Sequence, residues 1–179
     1  MNIFVLDHDP IRAASFLCNK HLSKMLIECG QMLATSLRSH GADDDLFLMF
    51  GVTTSKGTAW RSTHKNHPCT IWTSRSRSNY LWLCDHADAI AQEYTNRYGK
   101  IHACELPIKA MRVLASLIPE GDLSEFALAM PDDHKIKGDA VRSYRSYYHT
   151  KEFASWTNAD VPYWWQDQEK YDLDWRPFY

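Results

Sequence analysis

The sequence contains no long hydrophobic run and no large excess of charge of either sign. Its longest apolar stretches, such as residues 46–52, fall far short of the ~20 residues that a membrane-spanning helix needs. Lys and Arg number 20 against 22 Asp and Glu, so any basic surface for nucleic acid must be local. We therefore expect a protein that does not span a membrane and carries no overall basic field.

Glycine is also scarce, and the glycine-rich signatures of P-loop enzymes, dinucleotide enzymes and common hydrolases are missing. The five cysteines are an odd, scattered set with no signal peptide ahead of them, which favours reduced thiols and a cytoplasmic location. Cys18 and His21 have a metal-like spacing, but no second close pair completes a ligand set. We expect no metal and no cofactor.

Apolar residues recur at steps of three and four in several segments, which is typical of amphipathic helices. The helices predicted in this way cover residues 10–18, 19–39, 68–74, 78–98 and 107–118, with a last one capped by Asp139. Residues 43–63 are predicted to be mostly loop. The expected fold is all-α: one compact helical domain with long loops and an aromatic C-terminal tail, divided into a first half (1–98) and a second half of helices and packing tail (99–179).

The helix predicted over residues 19–39 has a polar face as well as an apolar one. At 100° per residue, one wedge gathers charged and polar side chains, namely Lys20, His21, Lys24, Glu28, Gln31 and Thr35. Lys24 and Glu28 have the spacing of a solvated ion pair, which is the simpler interpretation. In the alternative interpretation the wedge is catalytic, Glu28 acts as general base or electrostatic partner, and Lys20 and Lys24 hold phosphates.

A second feature is the absence of any Asp or Glu from residue 46 to residue 84, where five Lys and Arg residues occur. Aromatic residues interleave with these cations, a combination used to bind nucleic-acid strands or flipped bases. Pro68 predicts a helix start, so the residues before it would lie at the positive end of a helix dipole, where phosphate is stabilised. Alternatively, Asn66 caps that helix and His67 hydrogen-bonds to backbone. The DNA contacts predicted from both features are Lys20, Gln31, Lys65, Asn66, His67, Trp72, Arg75 and Arg77.

Residues 20–33 (KHLSKMLIECGQML), followed by Asn66-His67-Pro68 and Trp72, resemble the pyrimidine-dimer DNA glycosylase-like proteins of bacteria and phages, the endonuclease V type. The resemblance covers about the first 90 residues, and the whole chain resembles phage-encoded proteins that share this first half. It implies a mainly helical fold, DNA as the partner, Glu28 as the motif glutamate and, for a phage protein, the host cytoplasm. His21 departs from the family's usual arginine.

The endonuclease V relatives use an N-terminal amine to form a Schiff base, with a glutamate assisting. Asn2 is too large for the initiator methionine to be removed, so this role would fall to the α-amine of Met1. An α-amine ordinarily has a pKa near 8 and is partly neutral at pH 7, whereas a lysine side chain would need a large depression of its pKa to compete as a nucleophile.

The predicted function is a DNA glycosylase, with or without AP lyase activity, that acts on a damaged or modified pyrimidine. Its predicted catalytic residues are Met1, His21, Lys24 and Glu28. The alternatives are a non-catalytic phage DNA-binding or host-takeover protein, and a transferase that modifies phage DNA bases.

Overall fold

The computed structural model describes residues 1–166, and nearly all of their regular structure is helical, which confirms the all-α prediction. Within these residues the only strand-like pairing is a single antiparallel bridge between Thr53 and Ala59. The helices in chain order are α1 (Pro10–Ser15), α2 (Asn19–Ser39), α3 (Asp44–Phe50), α4 (Pro68–Arg75), α5 (Arg77–Tyr98), α6 (Glu105–Val113), α7 (Ala140–His149) and α8 (Tyr163–Gln166), with 3₁₀ turns at Leu114–Leu117 and Asp132–His134.

The two long helices, α2 and α5, pack against each other and organise the rest. Helix α5 also contacts α1, α4 and α6, and α2 also contacts α4 and α6. The apolar stripe predicted for α2 is fully buried, as its six members show: Leu22, Met25, Leu26, Cys29, Leu33 and Leu37. On the opposite, polar wedge of α2, Lys20, Lys24, Glu28 and Gln31 remain at least partly exposed and can build a site, whereas His21 and Thr35 are buried.

Helix α3 corrects the prediction that residues 43–63 are mostly loop. Asp43 caps it by accepting the amide hydrogen of Leu46, and Gly51 ends it in the left-handed conformation with φ 74°. The sequence of α3 shows no helical period, because its apolar residues are consecutive: Phe47 is buried, while the three apolar residues after it remain exposed. The helix predicted over 107–118 begins two residues earlier, at Glu105, and its α-helical part ends at Val113, where the chain tightens into a 3₁₀ turn.

The first six residues run through the interior without forming a helix or a strand. Ile3, Val5 and Leu6 have no exposed surface. The side chain of Asn2 fixes the turn here, since its Oδ1 accepts the amide hydrogens of Ile3 (2.8 Å) and Phe4 (3.0 Å). Burial of this segment sets the position of the chain's first residue between α2 and α4.

The second half packs onto the first through aromatic side chains. Tyr144 and Tyr148 of α7 and Trp164 of α8 have no exposed surface and belong to the same hydrophobic cluster as α2. The indole of Trp156 donates to the carbonyl oxygen of Phe16 at 3.1 Å. The predicted tail therefore packs across the helices as far as Gln166, and residues 167–179 of it lie outside the described residues.

Candidate active site

The N-terminal amine and the Glu28 carboxylate lie side by side. The nitrogen of Met1 is 3.8 Å from Oε2 of Glu28, and the same oxygen accepts the amide hydrogen of Asn2 at 2.7 Å. Glu28 projects from the polar wedge of α2, with 12 % of its side chain exposed. The structure thus brings together two of the four predicted catalytic residues, which the sequence places at the start of the chain and in the middle of a helix.

The rest of Met1 is anchored so that only its main chain reaches solvent. Its side chain is 1 % exposed, and its sulfur accepts a hydrogen bond from the hydroxyl of Thr70 on α4 at 3.4 Å. The residue as a whole is nevertheless only half-buried. Asn2 is held as well, because its Nδ2 donates to the carbonyl oxygen of Ala129 at 2.8 Å. The amine is therefore held in a fixed place beside Glu28.

Lys24 is the third member of this group. Its Nζ lies 3.7 Å from Oε1 of Glu28, the carboxylate oxygen that does not face the amine, and its side chain is 64 % exposed. The simple ion pair predicted from spacing is present, but Glu28 is shared between this lysine and the N-terminus. An exposed pair of this kind adds little to stability.

His67, at the start of α4, feels the charges of the same group. It is the N-cap residue, and its Nδ1 accepts the amide hydrogen of Cys69 at 3.2 Å, so the neutral ring carries its proton on Nε2. Burial lowers the pKa of His67, the N-terminal amine lowers it further, and Glu28 opposes both effects. His67, and not Asn66, therefore caps the helix. The pKa of its ring responds to the charges of the amine and of Glu28.

His21 does not lie in this group. It is 4 % exposed, its Nδ1 is 2.8 Å from the hydroxyl of Tyr148, and its ring stacks on Phe4 with centroids 4.7 Å apart. Burial, reinforced by nearby lysines, lowers its pKa to about 4. The catalytic role predicted for His21 is replaced by a structural one, because the helical wedge at this position is covered by α7 and the segment after it.

Two buried histidines predict that the fold loses stability in mild acid. Burial lowers the pKa of both His21 and His86 to about 4, from an ordinary value of 6.5. Between those values the unfolded chain binds protons that the folded chain does not, so stability falls as pH decreases through this window. The expected loss is about 1.4 kcal/mol per pH unit for each histidine.

Urea denaturation at a series of pH values measures this loss directly. We expect the free energy of unfolding to decrease from pH 6.5 towards pH 4, and His21→Gln to make this decrease less steep. A free energy of unfolding that stays constant over the same range would contradict neutral burial of the two rings.

The predicted DNA contacts fall into exposed and buried sets. Lys65 and Asn66 are exposed in the loop before α4, and Arg75 is exposed at its end; none of the three side chains has a hydrogen-bond or ion-pair partner among residues 1–166. Trp72 is 2 % exposed and packs on Trp82 and Phe126, so it is a core residue and not a DNA contact. An aromatic side chain on a short helix can belong to the core or contact DNA, and only its burial distinguishes the two roles.

Arg77 has internal partners. Its guanidinium donates to a carboxylate oxygen of Glu120 at 2.9 Å and to the carbonyl oxygens of Ile118 and Ser116. These bonds hold the segment after α6 against the start of α5. Arg77 therefore ties the fold together, while Arg75 remains available for phosphate.

This difference predicts distinct effects for two neighbouring substitutions. Arg75→Ala should reduce the slope of log affinity against log salt by about 0.9 on duplex DNA, the value for one phosphate contact. Arg77→Ala should leave that slope unchanged and lower the melting temperature, because it removes three internal hydrogen bonds. Salt-dependent binding and thermal melting of both variants test this, and equal salt slopes for the two would contradict it.

Beside Glu28 the polar wedge continues into a groove that sequence reasoning did not predict. Its walls are α2, the turn around the Thr53–Ala59 bridge and the segment before α6, and it encloses about 560 Å³. Gln31, a predicted DNA contact, lines it together with Ile27, Trp60, Arg61 and His102. The one sequence signal for the wall of this groove is Gly30, because a Cβ at this position would lie 2.6 Å from the Trp60 ring. Glycine here lets the indole pack directly on the helix.

Within the part of the chain that the structure describes, neither a metal centre nor a membrane helix is added to this description. Within residues 1–166, no three His, Cys, Asp or Glu side chains are grouped as metal ligands would be. Over the same range, no helix is both long enough and apolar enough to cross a bilayer.

Comparison with known proteins gives one result. The family model described as pyrimidine dimer DNA glycosylase matches residues 1–106, more than half of the chain. No curated protein and no solved structure matches. The matched segment contains Met1, Lys24, Glu28 and His67, which is every side chain of the group described above. The chain belongs to the pyrimidine dimer DNA glycosylase family.

Proposed function

We propose that this protein is a DNA glycosylase that cleaves the N-glycosidic bond of a damaged or modified pyrimidine after the nucleotide is flipped out of the duplex. The observation that supports this is the Met1 amine, 3.8 Å from Glu28 in a chain of this family. A nucleophile beside a carboxylate is the arrangement that displacement at a sugar carbon requires. The buried Met1 side chain holds the amine at the place where the carboxylate can act.

In the proposed reaction the neutral amine attacks C1′ of the target nucleotide. The C1′–N bond to the base breaks, its electron pair leaves with the base, and a new C1′–N bond forms to Met1. Glu28 stabilises the positive charge that develops on the sugar and accepts the proton released by the amine. Ring opening then gives a Schiff base, which water hydrolyses or from which the 3′ phosphate is eliminated.

The neighbouring cations receive supporting roles. Lys24 is positioned to hold a phosphate beside the target. The exposed Lys65 and Asn66, which precede His67 in the loop before α4, and the exposed Arg75 at the end of α4 would bind the DNA backbone. The His67 Nε2 hydrogen is suited to donate to a phosphate oxygen or to the departing base.

The endonuclease V type of chemistry, the phage origin and the host cytoplasm remain predictions of the resemblance. The assignment of residues 1–179 to a single domain is likewise a proposal. A binding protein that has lost the reaction, and a base-modifying transferase, are outcomes that the following experiment can reveal.

The test is incubation of the protein with undamaged, ultraviolet-damaged and modified-base duplexes, followed by mass spectrometry of the released small molecules and of the DNA. We expect free base, or an abasic or cleaved strand, from a damaged or modified substrate only. A base that changes mass while still attached to DNA would indicate a transferase. Binding without any product from any of the duplexes would leave the binding-protein interpretation.

A further inference from the structure

A second group of cations lies at the start of α2, where segments from the other half of the chain cover it. Lys20 is exposed, and its Nζ lies 4.6 Å from the centroid of the Phe153 ring. Lys151 is half-buried, and its Nζ lies 3.5 Å from the centroid of the Tyr147 ring. Lys151, Tyr147 and Phe153 all follow residue 106, where the family match ends.

The two ring–lysine pairs are neighbours through His21. The edge of His21 meets Phe153 at a centroid distance of 5.4 Å, and Phe4 stacks between His21 and Tyr147. The charges of Lys20, Lys24 and Lys151 all act on His21 and help to lower its pKa. Three lysines from two parts of the chain thus act on one buried imidazole, and we call Lys20, Lys24 and Lys151 the lysine patch.

Carboxylates do not neutralise the outer part of this patch. Among the described residues no Asp or Glu oxygen lies within ion-pair distance of Lys20 or Lys151, and Glu28 is shared by Lys24 and the N-terminus. An aromatic ring holds an ammonium group without cancelling its charge. The ammonium hydrogens thus remain able to bind an anion, while the rings restrict where the lysines point.

We propose that Lys20 and Lys151, positioned by Phe153 and Tyr147, bind the phosphodiester backbone of the DNA strand next to the target nucleotide. This proposal rests on the proposed function for the nature of the ligand. A polyanion is the partner favoured by ammonium groups that no carboxylate neutralises, and Lys24, beside Glu28, lies one helical turn from Lys20. The second half of the chain would then supply part of the DNA interface and not only structural support.

Phe153 and Tyr147 are positioning residues in this scheme. Each ring has a lysine over its face, so the rings are assigned to holding ammonium groups and not to stacking on bases. Loss of the Phe153 ring should make the Lys20 side chain more mobile, whereas another aromatic ring at the same position should keep its ammonium group in place.

The experiment measures binding to an undamaged duplex over a range of salt concentrations, so that it needs no glycosylase activity. Lys20→Met and Lys151→Met keep most of the side-chain bulk and remove the charge. We expect each to lower the salt slope by about 0.9 and the double variant by about 1.8, the values for one and two phosphate contacts. Lys137→Met is the matched control, because Lys137 is an exposed lysine with no ion pair among the described residues.

Phe153→Leu should weaken DNA binding, as Lys20→Met does, and Phe153→Tyr should bind DNA with the affinity of the wild type. Thermal melting of every variant shows whether the fold is kept. Salt slopes equal to wild type for both lysine variants, or a loss no larger than that of Lys137→Met, would overturn the proposal. A reduced slope in a protein that releases no base would support the proposal and reject the glycosylase function, so the two failures are distinguishable.

Discussion

Glu28→Gln should reduce base release by roughly 10²- to 10⁴-fold, the range for loss of a general acid or base step. Glutamine can still accept the amide hydrogen of Asn2, which now bonds to Oε2 at 2.7 Å, so the local backbone should stay in place. What disappears is the negative charge that faces the Met1 amine and stabilises the developing charge on the sugar. Single-turnover assays on the substrate found by product analysis measure the effect.

The chain offers a matched control for this substitution. Glu105 of α6 pairs with Lys109 one helical turn later, as Glu28 pairs with Lys24 one turn earlier, and its side chain is 19 % exposed. Glu105→Gln should cost a few tenths of a kcal/mol in stability and nothing in rate. If the rate of base release by Glu28→Gln stays within threefold of wild type and the variant melts at the same temperature, Glu28 is only an ion-pair partner and the catalytic proposal fails.

Adding one glycine ahead of Met1 should abolish the covalent adduct that borohydride traps between the protein and its DNA substrate. The extension converts the Met1 nitrogen into an amide without a nucleophilic lone pair and moves the new amine by about 3.8 Å. A displacement of this size costs about 10²-fold or more for a positioned nucleophile. Because the Met1 side chain is buried and bonded to Thr70, the chain cannot slide back to restore the amine.

The comparison requires a protein that starts at Met1 and carries the same glycine at its C-terminus, which should form the adduct normally. Lys20→Met and Lys24→Met should also form it, since neither lysine is the proposed nucleophile. Trapping that survives the N-terminal glycine but disappears in Lys24→Met would assign the nucleophile to Lys24.

Six of the eight described helices and one face of the site follow from the sequence by itself. The three-and-four spacing of apolar residues fixes α2 and its buried stripe, and the same spacing places Lys24 and Glu28 on the opposite wedge. Asp139 before Ala140 caps α7 as predicted, and Asp9 before Pro10 caps α1 in the same way, since both carboxylates accept amide hydrogens of the first turn. Local patterns of this kind need only neighbouring residues, and so they can be read from the chain.

Tertiary packing alone decided which side chains reach solvent and which meet. His21 shares the polar wedge of α2 by angle, yet Tyr148 and Phe153 from the second half bury it. Trp72 follows a basic loop and is nevertheless part of the core. The Met1 amine meets Glu28 because the apolar opening of the chain runs through the interior and Asn2 anchors it to Ala129. Contacts between residues so distant in sequence depend on the burial of whole segments, and no local spacing encodes them.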